Sequence, residues 1–191
     1  NGGPTFTMAL GTGSAAIGAG NATISNAAPI NGKDQRGYPR SSTAPSIGAF
    51  EYIPATQSTL TTTAAGAPSG SAFTTQPVIT IKDAFGNTVT DSTASVTMAV
   101  SGANGLATTV GTTTINAVAG VATFTNVGIS GAAGTSYTLT FTSGSLTATQ
   151  SIIPTFGIAT QATITTQAAG APSGSAFTTQ PVITIKDAFG N

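Results

Sequence analysis

The segment Thr74–Asn87, TTQPVITIKDAFGN, occurs a second time without a change at Thr178–Asn191. Identity reaches back to Ala64 and Ala168, and a looser likeness to Ala55 and Ala159, at a constant offset of 104 residues. A period of about 100 residues is too long for one coil of a solenoid and close to one small β-sandwich, so the repeated object is a whole domain in tandem. The sequence then divides into a leading segment (1–53), one full copy (54–157) and the first strands of another (158–191). About 30 residues cannot bury a core alone, so the 191 residues are expected to belong to a longer array. Asn1 is followed by neither a basic nor an apolar leader region, so any secretory leader is expected upstream.

Within the full copy, apolar and polar residues alternate in short bursts, the period of half-buried strands. Ile79 and Ile81 share one face, as do Val96, Met98 and Val100, and again Tyr137, Leu139 and Phe141. Turns are expected at SGANG, VAG, SGAAGTS and TSGS. In VATFTNVGIS the inward register moves from Ala122 and Phe124 to Val127 and Ile129, which predicts a β-bulge near Thr125 and Asn126. Pro77 has no N–H to give a ladder and belongs at a strand start or an edge. About seven short strands in such a length fit an immunoglobulin-like sandwich.

DAFGN has the chemistry of a hairpin corner. Asp83 accepts backbone N–H groups, Gly86 supplies positive φ, and Asn87 tolerates a similar conformation. A calcium site built on Asp83, Asn87 and Asp91 is the competing reading, but calcium takes six to eight oxygens and this spacing matches no standard loop. The expectation is therefore no metal and no cofactor.

Charge narrows the function classes. Five basic and five acidic residues make up the whole inventory, against about a quarter of residues in ordinary domains. Counterion release has almost nothing to act on, so nucleic acid is excluded as a partner. No apolar run approaches the roughly 18 residues of a membrane span. The absence of Cys rules out disulfides and thiol chemistry, and the absence of His rules out a Ser-His-Asp triad within the chain. Asn21-Ala22-Thr23 matches a glycosylation sequon, a short and unspecific pattern.

The stretch GSAFTTQPVITIKDAFGNTVTDSTASVTMAV, followed by GVATFTNVGISGAAGTSYTLTFTSGSLTATQS, resembles the tandem immunoglobulin-like repeats of bacterial surface proteins such as invasin and intimin-type adhesins. The resemblance implies spacers and stalks, with recognition placed in other modules, and it carries over no ligand-binding residue.

The leading segment has a different texture, and KDQRGYPR with SIGAFEY holds half of the charges. These motifs resemble the C-terminal end of right-handed parallel β-helix domains of large secreted bacterial proteins, with Ser46 standing where that pattern usually has Asp. A solenoid end must cover an open sheet edge, and a structured polar cap does so. Asp34, Arg36, Arg40 and Glu51 have two readings: ion pairs that pin an irregular loop, or a carboxylate pair with Arg of the kind polysaccharide cleavage uses. The structural reading is preferred, because catalytic residues of such enzymes would sit on coils that these residues do not include.

The expectation is an all-β chain: the end of a parallel β-helix followed by immunoglobulin-like β-sandwich repeats. It would act at the extracellular cell surface as a non-enzymatic stalk or adhesive spacer. Expected partners are other copies of itself, or a surface ligand of a host or neighbouring cell held by other modules. The alternatives are a self-assembling filament or surface-layer subunit using strand pairing, and the accessory stalk of a secreted polysaccharide-degrading enzyme. IIPTFG joins the copies without Gly or Ser padding, which favours limited bending.

Overall fold

A computed structural model describes residues 6–11, 13–102 and 105–191. The turn expected at SGANG includes residues 103 and 104 and lies outside the described residues. The described chain is mostly β, with twelve strands and one short helix, α1 (Ala22–Asn26). Three sheets occupy the full copy, and none is closed. The first orders β1 (Gln57–Thr62), β3 (Val78–Lys82) and β7 (Val121–Thr123); the second orders β10 (Leu146–Ile152), β9 (Tyr137–Ser143), β4 (Ser95–Ser101) and β6 (Thr114–Asn116). The third orders β2 (Ser71–Ala72), β8 (Gly128–Ser130) and β5 (Thr108–Val110). A separate pair, β11 (Ala159–Thr166) and β12 (Val182–Asp187), forms the second copy's hairpin.

The chain divides into two compact units. One comprises 1–57, 81–93 and 118–121; the other comprises 58–80, 94–117 and 122–191.

In the larger unit the sequence period translates directly into burial. Along β9, Tyr137, Leu139 and Phe141 point inward while Thr138, Thr140 and Thr142 are half-buried on the opposite face. β9 pairs antiparallel on both sides, so Phe141 lies between Met98 of β4 and Ala148 of β10. Phe124 and Phe141 meet with ring centroids 5.7 Å apart and planes tilted by 57°, a geometry worth about 0.5–1.5 kcal/mol beyond area burial.

The bulge expected at Thr125 and Asn126 is instead a change of sheet. β7 ends at Thr123 in the first sheet, and β8 begins at Gly128 in the third. Ala122, Phe124, Val127 and Ile129 are all buried, so the odd step keeps the inward pattern as the chain crosses. Pro77 lies immediately before β3, where it donates nothing, and its carbonyl accepts the Phe124 N–H at 3.2 Å. Beside it, the Gln76 side chain imitates a strand. Its Nε2 donates to the Val127 carbonyl (3.0 Å) and its Oε1 accepts the Val127 N–H (2.9 Å).

The smaller unit is irregular in its leading part. No strand precedes Gln57 among the described residues, and α1 is capped by Asn21, whose Oδ1 accepts the Ile24 N–H at 3.1 Å. At VAG, Val118 and Val121 bridge across Ala119 (φ 50°) and Gly120 (φ 78°), two positive φ values in the sense of a type I′ hairpin. No helix among the described residues is long and apolar enough to cross a membrane.

Candidate functional site

Asp34, Arg36, Arg40 and Glu51 converge as the sequence grouped them. The buried Asp34 carboxylate accepts the N–H groups of Arg36 (2.8 Å), Tyr38 (3.0 Å) and Glu51 (3.1 Å), and the Arg36 guanidinium reaches it through Nε (2.8 Å) and Nη2 (2.6 Å). Burial pushes its pKa up, but the Glu51 N–H, the Arg36 guanidinium and the other two N–H donors outweigh that and hold it below the ordinary value. Arg36 also lies 3.6 Å from the centroid of the Phe50 ring and 4.7 Å from that of Tyr38, where cation–π attraction helps to orient it.

Arg40 and Glu51 organise the neighbouring loop. Arg40 donates to the carbonyls of Lys33 (3.1 Å), Ser46 (2.9 Å) and Gly48, and approaches Glu51 at 3.5 Å. Glu51 accepts the N–H groups of Ser41 (3.3 Å) and Ser46 (2.7 Å). Ser46, the departure from the resembled pattern, is also used, its Oγ accepting the Tyr52 N–H at 3.3 Å. Both carboxylates are thus filled by backbone donors, which suits them to fixing loop shape; general acid–base work needs an oxygen open to substrate.

A groove of about 720 Å³ adjoins this cluster, lined by Ile24, Ser25, Ile30, Lys33, Arg40 and Ile47 among others. The Ser25 hydroxyl beneath it is enclosed and has no hydrogen-bond partner.

The DAFGN turn is closed by its first residue. Asp83 Oδ1 accepts the N–H groups of Phe85 (2.8 Å) and Asn87 (2.9 Å), and Oδ2 accepts the Asn87 side-chain amide (3.1 Å). Gly86 takes the positive φ expected of it, 84°, and Asn87 contributes its side chain. Asp91 is exposed, and no group of three or more metal-ligating side chains occurs among the described residues. The oxygens of Asp83 are taken by the turn's own N–H groups and by the Asn87 side-chain amide.

The second DAFGN turn does something sequence reasoning missed. Asp187 accepts the Phe189 and Asn191 N–H groups (3.0 Å each) and the Asn191 side-chain amide (2.9 Å), as Asp83 does in its own turn. It also accepts the Gly157 N–H at 2.9 Å. Asn191 Oδ1 accepts the Ala133 N–H (2.8 Å), and its Nδ2 donates to the Gly131 carbonyl (3.1 Å). The Asn191 side chain, with the Gly157, Asn191 and Phe189 N–H groups, holds the Asp187 pKa down at about 2 against the opposing effect of burial. The only sequence signal for this contact is the repetition of DAFGN itself.

No protein-family model and no curated protein matches the chain. Among solved structures, it is similar over 56% of its length to two crystal structures of Parabacteroides merdae beta-glucuronidase, one with glycerol in its active site, at 17% and 16% identity and TM-scores of 0.37 and 0.36. The chain spans 13% of those proteins' length, and similarity at that level carries no functional argument.

Proposed function

We propose that this chain is a non-enzymatic segment of an extracellular bacterial surface protein. The end of a parallel β-helix (residues 1–53) leads into immunoglobulin-like sandwich repeats that act as a stalk or spacer. The observation that carries this reading is that both copies of the repeat build the same local bonds. Thr74 N–H donates to Gly66 O at 3.0 Å and Thr178 N–H to Gly170 O at 2.9 Å; Gln76 Nε2 donates to Phe73 O at 2.7 Å and Gln180 Nε2 to Phe177 O at 2.8 Å. A unit that specifies its own structure at each occurrence suits an array whose output is distance. The commitment of Asp34 and Glu51 to backbone donors supports the non-enzymatic part.

The test is to insert one, two and three additional copies of residues 54–157 after Gly157 and to measure the maximum dimension by small-angle scattering. A constant increment per copy is expected. A dimension that fails to grow, or hydrolysis of glycosides or polysaccharides by the full chain, overturns the reading.

A further inference from the structure

The second copy buries its turn without burying its core. Ile183 and Ile185 are exposed, yet Asp187, two residues beyond Ile185, is only 3% exposed. The turn rests on the preceding copy through three bonds, one from the Gly157 N–H to Asp187 and two between Asn191 and Gly131 and Ala133.

The surface that receives the turn is held in shape by its own module. Ser69 Oγ donates to the Gly131 carbonyl (2.8 Å) and accepts the Gly131 N–H (3.0 Å), the Tyr137 hydroxyl accepts the Ala132 N–H (3.0 Å), and Gly134 N–H donates to Pro154 O (2.9 Å). At two of the receiving positions a side chain would crowd its neighbours. A Cβ on Gly157 would collide with the Ser69 carbonyl, and one on Gly131 would lie 2.9 Å from the Tyr137 ring. The loop offers one carbonyl and one N–H and the linker a second N–H, and the Asp–Asn pair of the turn supplies their complement.

We propose that Gly131, Ala133 and Gly157 form a docking seat that recognises the Asp-X-X-X-Asn turn of the module that follows, locking successive modules head to tail. Asn191 reads the loop with both ends of its amide, and Asp187 reads the linker. Ile53, 104 residues before Gly157, lies beside the first turn, lining one small cleft with Arg36, Phe50, Glu51 and Asp83. The lock rests on the spacer reading for its purpose, since a joint matters where modules set distance.

Amide hydrogen exchange in the full chain tests the lock, with Asn191→Ala compared against Asn87→Ala, which removes the same internal turn bond in the first copy. In Asn191→Ala the Ala133 amide should exchange about tenfold faster, the scale of one lost hydrogen bond, while the Leu139 and Phe141 amides keep their native rates. Asn87→Ala should leave Ala133 unchanged. If protection of β11 and β12 also falls in Asn191→Ala, the seat anchors that hairpin as well, which supports the proposal in its stronger form. An Ala133 rate unaltered by Asn191→Ala, or raised equally by Asn87→Ala, overturns the lock. That result leaves the spacer reading standing if arrays still lengthen by a constant step, whereas catalytic turnover would overturn the spacer reading and leave the lock intact.

Discussion

Ile79 and Ile183 occupy the same position in two copies of one sequence, and they are 0% and 58% exposed respectively. Their local surroundings agree: Thr61 Oγ1 donates to Val78 O, and Thr165 Oγ1 to Val182 O, both at 3.2 Å. The difference between them is therefore one of packing alone. Ile79→Ala is expected to cost about 2–5 kcal/mol, the range for deleting a fully buried Ile with a residual cavity. Ile183→Ala should stay within about 0.5 kcal/mol, as surface substitutions do. Urea unfolding of the two variants checks both; equal costs would show that Ile183 is covered in solution.

In the leading segment, the Asp34 side chain is fully enclosed and the Arg36 side chain 8% exposed. Removing one member of a buried pair leaves the other charge uncompensated, so Asp34→Ala should destabilise this segment by about 3–5 kcal/mol. Limited proteolysis would detect this as rapid cleavage between residues 33 and 51, with the β4, β9 and β10 amides still protected. Unchanged cleavage would show that the five donors to Asp34 contribute little.

Asp187 gives a pH dependence of definite sign. Its folded pKa is held at about 2, below the roughly 3.9 of an unfolded Asp. The turn therefore contributes stability that is present above pH 4 and is lost as pH falls from about 4 to 2. Carbon-detected titration should place the Asp187 midpoint near 2, and protection of the Ala133 and Gly157 amides should fade across the same window. A midpoint near 3.9 would mean that the Asn191 and Gly157 bonds do not persist.

Ala119 sits at φ 50° in the VAG hairpin, a region that costs a residue with a Cβ about 1–2 kcal/mol and that Asn tolerates better. Ala119→Asn converts the turn to Asn-Gly, the preferred type I′ pair, and should stabilise by about 0.5–1 kcal/mol. Gly120→Ala should do the reverse, since its φ is 78° and a new Cβ would meet the Val89 carbonyl oxygen at 2.5 Å. Thermal melts of the two variants should shift in opposite directions.

What was legible in the sequence was whatever depends on neighbours a few residues away. The alternation of Tyr137, Leu139 and Phe141 gave the inward face of β9, and Asp83 with Gly86 gave the closed turn. What was hidden depends on partners far along the chain. Gln76 pairs with Val127, Ser69 with Gly131 and Asn191 with Ala133, and none of these pairs leaves a local pattern. The crossing at Thr125 and Asn126 imitates a bulge because either event shifts the inward register by an odd step; only the identity of the pairing strands separates them.

The near-identity of the two copies has a kinetic consequence. Residues 64–87 and 168–191 are the same sequence, so during folding the later strands of the full copy meet two segments of nearly equal chemistry. Contact energy separates them only weakly, and the entropy of closing the intervening loops decides. A destabilised first hairpin would tip that contest and let the second take its place, giving a molecule with native-like sheets and permuted connectivity.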